Sequence, residues 1–183
     1  MPPIKQATIT PAHGPTYNNS DLLGLTPPPI DNRQRYLRFV LLQEEETLIP
    51  LSDILEVMHL ALEGVLPVPN MPSYVLGVCS WQSETLWLVD LDDMISDCPL
   101  RQQLDSNIAP TVIVVQSQGS SLGLVVEGVS DIELFDPAKI TMEKGLCPPS
   151  LEPYVLGYCP SHAGTVLNIS KIIHSPLLQV RSF

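Results

Sequence analysis

From Tyr36 onward the chain alternates short runs of Val, Ile and Leu with polar turns, a pattern that predicts strands of a sandwich or barrel and little helix. In Tyr36 to Leu42, Leu37, Phe39 and Leu41 fall on one face of a strand, because side chains alternate along an extended backbone. The polar stretch Gln43 to Glu46 then predicts a hairpin turn. Pro50, which lacks the N–H a ladder needs, ends the return strand or confines it to an edge. Ser52 or Asp53 is placed to cap a short helical turn, with Glu56 three residues after Asp53 as in a capping box. The same order recurs: a strand over Thr111 to Val115, a polar turn from Gln116 to Ser121 containing Gly119, and a return strand over Leu122 to Val126.

An internal repeat underlies that recurrence. Tyr74-Val75-Leu76-Gly77-Val78-Cys79 matches Tyr154-Val155-Leu156-Gly157-Tyr158-Cys159, and Thr85 or Thr165 follows six residues after each Cys. Residues 38–95 therefore correspond to about 111–173, one supersecondary plan used twice, which predicts two similar β-barrels packed together. Gly77 and Gly157 share one corner of the repeated unit, where close backbone approach or a positive φ excludes a Cβ, so substitutions at the two are expected to cost alike. Tyr74 and Tyr154 read as packing residues.

Composition narrows the picture. Residues 1–31 hold seven of the nineteen prolines and few large apolar side chains, and read as a disordered tail; Leu22, Leu23 and Leu25 are its one candidate docking cluster. The folded domain is expected over 32–176, with a first half at about 36–95, a second at about 111–173 and a C-terminal tail over 177–183. At 183 residues and 44% hydrophobic, the chain is long enough to bury a true core. Nine Lys plus Arg against twenty Asp plus Glu give a net charge of −11, which repels nucleic acid and an anionic membrane surface alike. No secretory leader or apolar run long enough for a membrane span is evident, and a reducing cytoplasm with free thiols is the expected setting.

The residues that carry chemistry elsewhere do not assemble into a motif here. Cys79, Cys98, Cys147 and Cys159 form no C-x-x-C pair, so no metal is expected. His13, His59, His162 and His174 match no ligand pattern, and Gly119, Gly123 and Gly128 lack phosphate-loop spacing, so no cofactor is expected either. Glu44, Glu45 and Glu46, consecutive in a turn, read as a solvated hairpin tip. Cys79 and Cys159 sit at matching places in apolar strands and read as small buried side chains; a cysteine-dependent enzyme pairing one of them with His162 is a remote alternative that lacks an orienting acid.

Five stretches resemble the CheW family of chemotaxis coupling proteins: RFVLLQEEETLIPLSDILEVM from Arg38, LPVPNMPSYVLGV from Leu66, LWLVDL from Leu86, LGLVVEGVSDI from Leu122, and YVLGYCPSHAGTVLNISKII from Tyr154. The resemblance spans about Tyr36 to Ile173. It implies an all-β fold of two SH3-like five-stranded barrels and a non-enzymatic adaptor. It also implies partners: the regulatory domain of a CheA-type histidine kinase, the tip of methyl-accepting chemoreceptors, and other CheW-like proteins in a membrane-associated receptor array serving chemotaxis, phototaxis or pilus motility. The candidate protein-binding residues are Glu56, Trp81, Gln82, Trp87 and Val89. The chain departs from the family pattern after the first YVLG, where Gln82 takes the place of an Arg and Ser83 that of a Gly. Loss of that planar cation motivates a second reading, a divergent paralogue that binds the kinase without ordinary receptor coupling.

Overall fold

The structure, a computed structural model, describes residues 31–178 apart from 43, 97–109, 143–144 and 161–163. The expected disordered tail, up to residue 30, lies outside the described residues, as do Cys98, His162 and the last five positions. The elements in chain order are β1 (Gln34–Leu41), β2 (Glu45–Pro50), β3 (Ile54–His59), β4 (Val75–Trp81), β5 (Glu84–Asp90), α1 (Leu91–Ser96), β6 (Thr111–Ser117), β7 (Ser120–Val126), β8 (Val129–Phe135), β9 (Val155–Cys159), β10 (Gly164–Leu167) and α2 (Ile169–Ile173). The fold is mostly β, as expected. Two five-stranded sheets form, in the orders β8-β1-β2-β10-β9 and β3-β6-β7-β5-β4.

These orders superpose when β1 is read as β6, β2 as β7, β3 as β8, β4 as β9 and β5 as β10, so the repeat is structural. The sheets nevertheless do not coincide with the halves of the sequence. Each sheet takes a hairpin from one half and three strands from the other, so the halves trade strands.

Each sheet curls until its edges meet. In the β3–β7 sheet, Leu66, beyond the end of β3, exchanges backbone hydrogen bonds with Val78 of β4 (2.8 and 2.9 Å). In the other, Thr141, beyond β8, does the same with Tyr158 of β9 (2.9 and 2.8 Å). This closure fits the SH3-like description and removes most of the exposed edge that an open sheet presents.

Three apolar clusters follow from the closure. Tyr36, Leu48, Phe135, Cys159 and Val166 fill one barrel, with Tyr36 stacked on Phe135 at 3.9 Å between ring centroids. Leu60, Leu86, Leu88, Val112, Val114 and Val125 fill the other. The largest lies between them: Leu37, Phe39 and Leu41 of β1 meet Ile113 and Val115 of β6, Leu122, Leu124 and Val126 of β7, and residues of both helices. β6 and β7 thus bury both faces, which accounts for the unbroken apolar run TVIVV and for LGLVV in place of alternation.

The helices close the seam by the same device twice. Asp90 accepts a hydrogen bond from the Asp93 N–H (3.1 Å), and Asn168 one from the Lys171 N–H (3.1 Å), capping α1 and α2. The N–H groups of Asp90 and Asn168 in turn donate to the Tyr74 and Tyr154 carbonyls, both at 2.8 Å. The tyrosines pack as expected: the Tyr74 hydroxyl donates to the Leu177 carbonyl (2.6 Å), and Tyr154 bonds Ser175 (3.1 Å).

Local expectations fare unevenly. The second hairpin turn is tighter than the six residues expected, because Ser117 pairs with Ser120 across Gln118 and Gly119 alone. The capping box does not form: Leu51–Asp53 is a single 3-10 turn without a side-chain cap, and Glu56 lies inside β3, where Ile54 and Val57 favour extended backbone and pair with β6. Glu45 and Glu46 are not a solvated tip. They already belong to β2, with Glu45 accepting from the buried Thr165 hydroxyl (2.6 Å) and Glu46 pairing with Arg38 (3.4 Å).

The two repeat glycines are not equivalent. Gly77 has φ +137°, and a Cβ there would run into the backbone carbonyl of Leu66 that closes the barrel. Gly157 has no left-handed φ, and its Cβ would meet the Ile140 methyl and the Thr141 carbonyl, the latter at 2.8 Å. Both positions face a carbonyl of the closing segment, nearer at Gly77, and the unfavourable φ of Gly77 adds about 1 to 3 kcal/mol. Gly77→Ala is therefore expected to destabilise more than Gly157→Ala by at least about 1 kcal/mol in urea denaturation; equal losses would place the two glycines in one environment after all.

A second expectation concerns Asp92 of α1, only 3% exposed, whose carboxylate accepts a 2.6 Å hydrogen bond from the Leu42 N–H at the tip of the β1–β2 hairpin. Burial pushes its pKa up to about 6; the Leu42 bond opposes this, while Asp90 and Glu127 add to the rise. The folded state thus holds this proton more tightly than the unfolded chain. Stability from this group is present at low pH and is lost as pH rises from the unfolded value near 3.8 through about 6. The loss amounts to about 3 kcal/mol at 1.36 kcal/mol per pKa unit. Asp92→Asn keeps an oxygen for Leu42 and should remove this slope from urea midpoints measured between about pH 4 and 7; an unchanged slope would assign it to other groups.

Candidate functional site

The sequence candidates divide between the rim of the β3–β7 barrel, its outer surface and its core. Inward-facing positions on three of its strands end at one mouth. Glu56 lies opposite Val114, Trp81 pairs with Glu84, and Glu84 precedes Leu86 and Leu88 on the inward face of β5. The Trp81 ring packs against the barrel interior beside Cys79, while its indole N–H donates to the Glu56 carboxylate at 2.7 Å. Because β3 and β4 are opposite edges of the sheet, this bond is a third tie closing the barrel. It joins two of the sequence candidates, Glu56 and Trp81, that stand 25 residues apart.

Gln82 and Ser83 form the two-residue turn between β4 and β5, both exposed and both left-handed, with φ of 48° and 67°. This is the mirror-image turn that suits the right-handed twist of a hairpin, and it favours Asn or Gly. The departure from the family pattern therefore has a backbone consequence as well as a loss of charge.

Trp87 is 39% exposed in the middle of β5. It pairs with Val78, which bridges Leu66, itself 66% exposed, so the three side chains form one apolar row across β5, β4 and the closing segment. Sequence reasoning missed Leu66; its place in the row depends on the barrel closure. Val89 is a correction. It is 1% exposed and belongs to the seam between the barrels, because β5 turns its last residues toward β7 and α1. It is removed from the contact surface.

The register places Trp87 where the other barrel has Thr165, since Val78 pairs with Trp87 as Tyr158 does with Thr165. Thr165 is buried and, with Gly157, Tyr158, Val155, Cys147, Met142 and others, lines a small cavity of about 140 Å³. The two barrels thus share a backbone plan and differ in surface. A similar contrast separates Arg38, which bridges Glu133 and Glu46, from its counterpart Val114.

Burial pushes the Cys79 thiol up, the opposite of what a reactive thiolate needs, and Cys159 is buried in the interior of its barrel. Among the described residues, no three His, Cys, Asp or Glu side chains are grouped to hold a metal ion, and no helix is long and apolar enough to cross a membrane.

The family model for the CheW-like domain matches residues 20–176. Among solved structures, the chain is similar to the scaffolding protein TtCheW from Thermoanaerobacter tengcongensis, with 18% sequence identity and a TM-score of 0.61. The match covers 73% of this chain and 86% of the other. At that identity the likeness shows the fold. No curated protein matches the sequence.

The strained turn yields a prediction that any partner-independent assay can check. A left-handed backbone costs an ordinary residue about 1 to 2 kcal/mol and glycine almost none. Ser83→Gly is therefore expected to raise stability by about 1 kcal/mol in urea denaturation. A loss of stability would mean that the Ser83 side chain contributes more than its backbone geometry costs.

Proposed function

Since the chain belongs to the CheW-like domain family, whose members act as scaffolds in chemotaxis signalling, we propose that it is a non-enzymatic adaptor joining methyl-accepting chemoreceptors to a CheA-type histidine kinase. The carrying observation is the row Leu66, Val78 and Trp87. Leu66 and Trp87 are exposed on the outside of a closed barrel with the half-buried Val78 aligned between them, and aromatic anchors of this kind dominate protein interfaces. We assign this row to the kinase regulatory domain, and the rim around Gln82 to the receptor tip. The adaptor works at cytoplasmic receptor arrays and reaches the membrane only through its partners; its acidity fits protein rather than nucleic-acid recognition.

A second reading is a paralogue that binds and modulates the kinase without ordinary receptor coupling. It is favoured by the neutral Gln82 at the rim and by the commitment of Glu56 to an indole N–H within the chain.

Calorimetric titration of a CheA-type regulatory domain tests the assignment. Trp87→Ala is expected to weaken binding by about 2 kcal/mol, roughly thirtyfold, with an unchanged circular dichroism spectrum. Unaltered affinity would remove Trp87 from the interface. Parallel titration of a receptor tip separates the readings: binding to both partners supports the coupling adaptor, and binding to the kinase domain alone supports the modulator.

A further inference from the structure

The mouth of the β3–β7 barrel holds an arrangement that closing the barrel does not require. Trp81 is flanked on one side by Glu56, to which it is bonded, and on the other by its cross-strand partner Glu84. Both carboxylates are exposed, and the ring between them is only half buried. One aromatic ring bracketed by two carboxylates offers a cation a π face and acceptors on either side.

The strands of this barrel do not supply that cation. None of its five strands contains a Lys or Arg. The sequence has no Lys or Arg at all between Arg38 and Arg101, a stretch that carries eleven Asp and Glu. Arg38, in the other barrel, pairs there with Glu46 and Glu133. The rim at residue 82 is a neutral Gln. Two like charges beside one ring repel each other, and a cation from outside relieves that repulsion while adding charge-assisted hydrogen bonds.

We propose that this mouth binds an arginine side chain presented by a partner protein, stacked on Trp81 between Glu56 and Glu84. Arginine suits the site because its planar guanidinium stacks on an aromatic face and still directs N–H groups to carboxylates at its edge. Glu56 has a second oxygen available while the first holds the indole N–H, and Glu84 adds two more. The inference deepens the adaptor reading and rests on it in taking the partner to be a protein. It assigns that partner a positive charge at the rim, where the family pattern puts the positive charge on the adaptor.

The Trp81 indole N–H is its own reporter. In a Trp87→Phe background Trp81 is the one remaining tryptophan, and its indole resonance can be followed in a 15N-labelled sample of the full chain. The probes are a short Gly/Ser peptide carrying one central arginine and the same peptide with citrulline, which keeps the shape and removes the charge. The expected result is a saturable shift of the indole resonance with the arginine peptide that the citrulline peptide does not produce. Glu56→Gln keeps an oxygen for the indole, and Glu84→Gln leaves the hairpin intact; each is expected to weaken the arginine peptide by about fivefold to tenfold. No saturable shift, an equal shift with citrulline, or indifference to both substitutions would overturn the proposal. Glu56→Gln and Glu84→Gln made in the chain that keeps Trp87, titrated against the kinase regulatory domain and the receptor tip, keep the two ideas apart. If the unaltered protein binds neither, the adaptor reading falls and the peptide titration still decides the site; if it binds and the Gln variants bind equally well, the arginine site falls and the adaptor reading stands.

Discussion

The apolar seam between the barrels is the constraint on which the rest of the structure depends. Among the described residues it gathers eighteen buried side chains, against six and five inside the barrels themselves. Burying a large aliphatic side chain contributes about 1.5 to 3 kcal/mol, so most of the hydrophobic driving force lies between the barrels. A barrel interior of five or six side chains is too small to offset the ordering of its strands. The two units are therefore one cooperative body, and the traded strands reinforce this: one barrel takes the continuous run β3 to β7, and the other is assembled from strands on either side of it in the chain.

Once the seam is fixed, the surfaces are free to diverge. Equivalent positions carry Trp87 and Thr165, or Arg38 and Val114, with the pairing of the backbones unchanged. One barrel binds its charged residues inward: Arg38 spans Glu133 and Glu46, and Glu45 receives the Thr165 hydroxyl. The other has an apolar interior and leaves its carboxylates at the mouth. A duplicated scaffold that keeps its seam can thus present two unlike faces.

The ties that close the β3–β7 barrel sit where its candidate contact residues lie. The Leu66 and Val78 exchange fixes the row that ends in Trp87, and the bond from Trp81 to Glu56 fixes the rim on which Gln82 and Ser83 turn. Positive φ at both turn residues is sustained by the pairing of β4 with β5 on either side. Local strain held by surrounding structure in this way is common at interaction sites.

The sequence by itself determined the strands, their low helical company and the duplication, because alternation in β1, unbroken apolar runs in β6 and β7, and the repeated YVLG are local signals of extended backbone and burial. It also marked Trp81, Gln82 and Trp87 as candidate contact residues, Gln82 among them as a departure from the family pattern. It did not determine which strands pair: period-two patterning states that a face is buried and says nothing of what buries it, so the exchange of strands between halves was not legible. For the same reason Val89 and Trp87, two residues apart in one strand and both apolar, could not be told apart as seam and surface. The likeness of Gly77 to Gly157 concealed a difference that lies in φ. The pairing of Glu56 with Trp81, the burial of Asp92 against Leu42 and the inclusion of Leu66 in the exposed row were likewise decided by tertiary structure alone, because each joins residues that only the curl of a sheet or the packing of a helix brings within reach.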